Sequence, residues 1–320
     1  MNLIKPSFEI IEQESGLQGV YKQIELAGRT CYKSEDKIIE DSAKGFVEKM
    51  IQSGHGAMLE HGTIYLTIPG EHEPDEWGRT YAFINYKGSY RSNKYSKVVV
   101  EYWEQEPVGT QCEFCKKIPR SRLHITTNLR VLVENNWLDD LKYLCEPTEY
   151  HEKRHTVKFV CDRGVSHEFV RHRKMSFAQE STRYCNYSKD KFNKEITFIL
   201  PPWMDEAQLG HHDPSVIISQ AYGFLPFECR PGEFEEVLFM ESLAHSEINY
   251  NTLIEKGWKP QQARSVLATS LKTELVMTGF ISDWKHFFDL RAIGTTGAPH
   301  PQAKELAEPL MNEFIKRKYL

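Results

Sequence analysis

The sequence predicts an α+β fold, a mixed or antiparallel sheet flanked by helices, in a single catalytic domain over residues 1–320. Three observations carry this expectation. Runs rich in β-branched and aromatic residues recur, as in GTIYLTI (Gly62 to Ile68), HTVKFVC (His155 to Cys161), ITFIL and TELVMTGF. Between them lie segments whose apolar residues fall at helical spacing. The two kinds follow one another irregularly, with neither a βαβ repeat nor the GxGxxG turn of a Rossmann sheet.

Taken in order, SFEIIEQ reads as a short strand, and Val20 to Cys31 as a helix. Ser42 to Gln52 (SAKGFVEKMIQ) reads as a second helix, stopped by the SGHG turn. GTIYLTI follows as a strand. From Pro69 to about Pro119 the chain is polar, aromatic and rich in turn residues, and its order is open. Asn128 to Leu144 reads as a helix, HTVKFVC as a strand and VSHEFVRH as a short helix. Glu233 to Glu255 predicts a long helix, with Phe234, Val237, Leu238, Ala244 and Ile248 at helical spacing. Pro260 suits the first turn of another helix running through Leu271. TELVMTGF is a strand, and SDWKHFFDLR and PQAKELAEPLMNEFIKRK are helical.

Composition narrows the function classes. Hydrophobic residues make up 40% and charged residues 27% of 320 positions, enough for a sizeable core. The formal net charge of −5 gives no global field for nucleic acid, so any anion site must be local. No apolar run approaches a membrane span, and the N-terminus lacks a signal-peptide pattern. Seven scattered cysteines fit a reduced, cytoplasmic protein better than a disulfide framework.

The local site is RHRKMSFAQESTRY, Arg171 to Tyr184. Leaving out His172, Arg171, Arg173, Lys174 and Arg183 stand against Glu180 alone in Arg171 to Arg183, interleaved with hydroxyl and amide side chains. Guanidinium forks grip phosphate through paired, charge-assisted hydrogen bonds, and serines and backbone amides fill the remaining acceptors. Charge alone is also met by a solvated basic loop, and the spacing decides against it.

Arg-His-Arg followed seven residues later by Ser181 resembles the signature of flavin-dependent thymidylate synthases. Upstream, LEHGTIYLTI resembles that family's Glu-His before a strand. Downstream, ARSVLATSLKTEL and FFDLR resemble its two arginine-bearing segments, at Arg264 and Arg291, in the family's order. The resemblance spans roughly Ala27 to the C-terminus. It implies the fold of that family, with an atypical insert over residues 69–123 ahead of the signature. It implies methylation of dUMP to dTMP, with methylenetetrahydrofolate as carbon donor, NADPH as reductant and FAD as cofactor, in a homotetramer with sites between subunits. It assigns Thr63, Arg171, His172, Arg173, Gln179, Phe280, Ile281, Ser282 and His286 to FAD. It assigns Glu168, Arg171, Gln179, Glu180, Ser181, Thr182, Arg183, Arg264 and Arg291 to dUMP, with Arg264 reaching in from a neighbouring subunit. Arg291 and His61 are the expected catalytic residues.

The chain departs from the family pattern at Glu168 and Gln179, which stand where Gln and Glu are common, and at Phe280, Ser282 and His286. Cys112 and Cys115 form a CxxC without a recognisable second pair, which favours two loop thiols over a zinc site. Cys185 reads as a packing thiol. Ser181 has no His/Asp arrangement to make it a nucleophile and reads as a ligand-binding residue. The competing reading is a nucleotide- or nucleic-acid-binding module without catalysis, its arginines on phosphate and its aromatic insert stacking bases. Flavin absorbance of the purified protein separates the two.

Overall fold

The computed structural model describes residues 1–74, 80–83, 89–105, 118–189, 192–223 and 233–320. Its strands are β1 (Asn2–Ile4), β2 (Ser7–Ile11), β3 (Thr63–Pro69), β4 (Glu71–Pro74), β5 (Thr80–Phe83) and β6 (Lys97–Gln105). They continue with β7 (Ile118–Asn128), β8 (Arg154–Asp162), β9 (Ser176–Gln179), β10 (Thr197–Ile199), β11 (Gly210–His211) and β12 (Lys272–Phe280). The α+β class holds, but the strands divide among several small sheets. The sheet that matters for the site is antiparallel throughout, in the order β2-β8-β12-β9. A second sheet has the order β3-β7-β6, and a third, mixed one has the order β10-β1-β11.

Helix α1 (Gly16–Tyr32) buries Val20, Ile24 and Ala27 and ends on Lys33 in the left-handed region. Helix α2 (Ser42–Gln52) follows with the expected bounds, then the single turn α3 (Gly56–Leu59). Much of the stretch with open order is sheet: β4 with β5, the turn α4 (Ser89–Ser92), and β6 paired with β7 over nine positions. The expected helix from Asn128 to Leu144 is two pieces. Asn128 caps α5 (Leu129–Glu134) by accepting from the Val131 amide at 3.1 Å. Asn136 then adopts φ 59, a conformation asparagine tolerates, and the Trp137 amide closes back on the Leu132 carbonyl. A 3-10 segment, Leu138–Tyr143, completes the span.

Helix α6 (Arg163–Phe169) is capped by Asp162, whose carboxylate accepts from the Val165 amide at 2.7 Å. Helix α7 (Pro214–Gly223) precedes α8 (Glu233–Glu255), which has the expected bounds. The helix expected from Pro260 to Leu271 is shorter. It is the single turn α9 (Pro260–Ala263), tightening into a 3-10 turn at Arg264–Val266. Ser246 Oγ takes the Ala268 amide at 3.0 Å, and Leu271 bridges to Phe198, so the chain straightens into β12. Helices α10 (Ile281–Phe288) and α11 (Pro301–Lys316) close the chain.

One core packs α6, α10 and α11 on the site sheet through Phe159, Phe169, Trp284, Phe287 and Phe314. A second joins β1, β10 and α8, and contains Cys185. A third fills the space between α1 and the β3-β7-β6 sheet. Gly62 enters β3 where α1 passes closest: a Cβ there would lie 2.6 Å from Ile24 Cδ1 and 2.7 Å from Val20 Cγ1. Both neighbours are fully buried. Gly62→Ala is therefore expected to destabilise the fold by ~1–3 kcal/mol through overpacking, read as a lowered urea midpoint with an unchanged slope.

Candidate active site

The basic motif occupies the link between α6 and β9. After Phe169 the backbone turns on itself, with the His172 amide donating to the Phe169 carbonyl at 3.1 Å and Met175 to His172 at 2.9 Å. The turn leaves Arg171, Arg173 and Lys174 exposed while His172 is buried. Among the described residues, neither the Arg171 nor the Arg173 guanidinium has a hydrogen-bond or ion-pair partner. These are fixed cations without internal neutralisation.

They face the start of α10 and the turn after it, across a cleft of about 390 Å³. Six residues expected at the site line it: Arg171, His172, Arg173, Ser282, His286 and Arg291. Lys174, Met175, Asp283 and Leu290 complete the wall. Arg291 lies in a π-helical turn, Asp289–Ile293, closed by Gly294 at φ 79. Its Nη1 donates to Glu168 Oε2 at 2.5 Å, Nη2 to the Glu168 carbonyl at 3.1 Å, and Nε to His172 Nε2 at 3.3 Å. Burial, then Arg291 and His286, push His172 down to about 4, so its ring is neutral at pH 7 and accepts from Arg291.

A second cluster forms where β9 ends. The Ser181 amide donates to the Cys31 carbonyl at 3.0 Å, and the Cys185 amide folds back on Ser181 at 2.9 Å. The Arg183 guanidinium is exposed, 5.3 Å over the Tyr184 ring. Arg264 Nη1 donates to Thr182 Oγ1 at 3.1 Å. Within one chain, then, Arg264 stands beside Thr182 in this cluster. β9 rises about 3.3 Å per residue, so the cleft and this cradle stand on the order of 13 Å apart at opposite ends of one strand.

Other expected residues sit elsewhere, each for a physical reason. His61 does not face the cleft. It is fully buried, with Nδ1 2.8 Å from Thr278 Oγ1, and burial with the Arg154 charge lowers it to about 3. Thr63 lines a different pocket, its hydroxyl 3.4 Å from Arg154 Nη1. Phe280 is buried with Lys97 Nζ 4.7 Å and Arg154 5.5 Å from its ring, and Ile281 is half-buried behind it. Gln179 spends its amide on Ser166 Oγ at 2.8 Å and Thr273 Oγ1 at 3.2 Å. Glu180 is 2% exposed, its carboxylate taken by Tyr187 Oη at 3.1 Å and Lys272 Nζ at 3.0 Å, so it braces the cradle from behind.

The structure also adds residues that the motif did not single out. Lys272 links Glu180 to Glu274, and Lys33 and Lys158 reach the same Glu274 at 2.5 and 2.6 Å. Burial opposes the Glu274 charge, but Lys272, Lys33 and Lys158 hold its carboxyl far below the usual range. The alternation in SLKTEL marks a strand but cannot reveal which lysines converge. Cys112 and Cys115 lie outside the described residues. Among the described residues, no group of three or more His, Cys, Asp or Glu is placed to hold a metal ion, and no helix is long and apolar enough to cross a membrane.

A family model described as thymidylate synthase complementing protein matches residues 149–317, just over half of the chain. The chain belongs to this family. The span shared with the thymidylate synthase complementing proteins takes in the whole cleft and the whole cradle, and leaves out His61, Thr63 and the stretch over residues 69–123. The flavin-dependent thymidylate synthase of Mycobacterium tuberculosis (strain ATCC 25618 / H37Rv) is 30% identical over 135 residues, 41% of this chain and 46% of that protein. That of Thermococcus kodakarensis is 27% identical over 156 residues, 49% and 51% respectively. The chain is therefore matched over about half the length of these relatives. A crystal structure of the UMP/dUMP methylase PolB from Streptomyces cacaoi bound with 5-Br UMP aligns over 98% of this chain and 91% of that one, at 14% identity and a TM-score of 0.41.

The buried histidines set a pH dependence. His172 and His155 are lowered to about 4 and His61 to about 3, chiefly by burial. The unfolded chain takes up these protons near pH 6.5 and the folded chain only well below, so the unfolded state binds more protons between the two values. Stability is therefore expected to fall as pH drops from about 6.5 toward 4, by up to ~1.4 kcal/mol per pH unit for each histidine. Urea titrations at pH 7.0, 5.5 and 4.5 measure the slope, and His172→Gln should flatten it.

Proposed function

We propose that the chain is an FAD-dependent thymidylate synthase that methylates dUMP to dTMP, with methylenetetrahydrofolate as carbon donor and NADPH as reductant. The observation that carries this reading is the convergence of Arg171, His172, Arg173, Ser282, His286 and Arg291 on one cleft in a member of this family. FAD, when bound, carries hydride between the reductant and the pyrimidine. The residues present fit such a group. Arg171 and Arg173, exposed and without ion-pair partners among the described residues, suit a diphosphate, with Lys174 beside them, and neutral His172 suits a neutral ring or hydroxyl.

Arg291 has the geometry for the chemical role. Two contacts from Glu168 fix its guanidinium plane, so it meets a substrate without searching for its orientation. A guanidinium held this way stabilises negative charge as it develops on a uracil ring. Ser181, Thr182, Arg183 and Arg264 form the cradle for the nucleotide phosphate, with Glu180 and Lys272 bracing it. Cleft and cradle stand too far apart in one chain to share a small substrate. A homotetramer that sets one copy's cleft against another's cradle resolves this, and each site then draws on two chains.

The direct test is release of tritium from [5-³H]dUMP, with dTMP formation, in the presence of FAD, NADPH and methylenetetrahydrofolate. A protein that neither binds flavin nor releases tritium refutes the reading. Arg291→Lys keeps the charge but loses the planar fork. It should lower turnover by ~10²–10³ while flavin content, read from absorbance, stays near the unmodified value.

The shared site predicts a pattern of complementation. Arg173→Ala in the cleft and Arg183→Ala in the cradle should each be inactive. Randomly mixed tetramers of the two should recover roughly a quarter of full activity, because that fraction of sites pairs two intact halves. Arg183→Ala mixed with Arg264→Ala should recover none, since both belong to one cradle. Activity after verified subunit exchange measures both pairs.

A further inference from the structure

The stretch over residues 69–123 lies outside the matched family span, yet one of its residues reaches the rim of the cleft. Lys97 opens β6, where it pairs with Thr126 on β7, and Ser96 beside it holds Thr127 Oγ1 at 2.7 Å. This fixes the lysine backbone. Its Nζ donates to Ser282 Oγ at 2.6 Å, forms an ion pair with Glu152, and stands 4.7 Å from the centre of the Phe280 ring. Ser282 and its neighbour Asp283 are cleft residues.

The contacts form a closed arrangement around the first turn of α10. A helix start leaves backbone amides without intrahelical partners. Here the Ser282 amide is taken from outside the helix, by Glu152 Oε1 at 2.9 Å, and the Ile281 amide by the Lys153 carbonyl at 3.0 Å. Lys97 holds both the carboxylate that caps the helix and the hydroxyl of the residue being capped. One turn further on α10 presents His286, and the π turn after it presents Arg291. The orientation of this whole wall therefore depends on its first turn.

We infer that Lys97 is a positioning residue for cofactor binding, through which the 69–123 stretch locks the α10 wall of the cleft by way of Glu152 and Ser282. The inference rests on the reading of the cleft as an FAD site. The stretch thereby acquires a definite structural role, adding a strand whose first residue spans from the β3-β7-β6 sheet to the helix that carries His286. A cation is needed there because Glu152, alone beside the helix start, would compete with an incoming diphosphate; paired with Lys97 it serves as a cap.

The test is titration of the full-length apoprotein with FAD, followed by flavin fluorescence, and separately with dUMP, by calorimetry. Lys97→Met should weaken FAD binding roughly tenfold, the scale of one charge-assisted contact. Lys97→Arg should restore it to within about threefold, and Glu152→Gln should weaken it as Lys97→Met does. The double variant should bind FAD no more weakly than either single one, because both act through one contact. dUMP affinity should fall less than FAD affinity in Lys97→Met, Glu152→Gln and the double variant, since the nucleotide phosphate is held by the cradle at the other end of β9 and only the ring meets Arg291. FAD affinity unaltered in Lys97→Met, equal losses for FAD and dUMP, or no rescue by arginine would each overturn the inference while leaving the FAD reading intact. Absence of FAD binding by the unmodified protein would instead remove the FAD reading, and the inference with it.

Discussion

The antiparallel pairing of β8 with β12 is the constraint on which the rest depends. Nine positions are in register, from Lys272 opposite Asp162 to Phe280 opposite Arg154. Each end of that ladder delivers something. At the Asp162 end, β8 runs into α6 and the basic motif, and β12 receives Lys272 behind the cradle. At the Arg154 end, β12 runs into α10, which walls the cleft. β9 lies along the other edge of β12, from Ser176 opposite Thr278 to Gln179 opposite Leu275, and connects the two clusters. A one-residue slip in the ladder would turn every side chain to the opposite face and take both clusters apart together.

Charge is distributed on the same plan. The chain is acidic overall, yet Arg171 and Arg173 stand exposed without ion-pair partners among the described residues, while Lys33, Lys158 and Lys272 crowd around Glu274. The first group is left free for an incoming anion. The second is largely neutralised by Glu274, Glu180 and Glu35, and stiffens the floor beneath the cradle. Two sets of cations thus do different work, and the pairing of each side chain distinguishes them.

The parts of the fold set by local pattern were legible in the sequence. Ser42 to Gln52 and Glu233 to Glu255 carry their own periodicity and turn signals, and HTVKFVC and TELVMTGF have strand composition whatever surrounds them. SFAQ has no such pattern; it becomes β9 because β12 offers it an edge. The break at Asn136 turns on one left-handed residue inside an otherwise helical segment. The motif spacing singled out Arg171, His172, Arg173 and Arg291, which the fold brings to one cleft. It could not report that Glu180 points inward to Tyr187, that His61 is enclosed beside Thr278, or that Arg264 meets Thr182 of its own chain. Those facts belong to pairings between segments far apart in sequence. For the same reason Lys97 gave no signal, as its partners come from positions 152 and 282.

The wide turn at Asp289–Ile293 sets the phase of the helix end. Trp284, Phe287 and Phe288 mark the core-facing stripe of α10, and an undisturbed α-helix returns to that stripe at position 291. The guanidinium would then point into the aromatic core. The π turn holds one extra residue, so Ala292 occupies the core position, 3% exposed, and Arg291 swings out to Glu168 and His172. The arginine therefore reaches the cleft through a local shift in helical count as much as through its identity. In sequences related to this one, loss of the residue at position 292 would retain every letter of FFDLR and still withdraw the arginine, so the spacing here has to be read together with the residue.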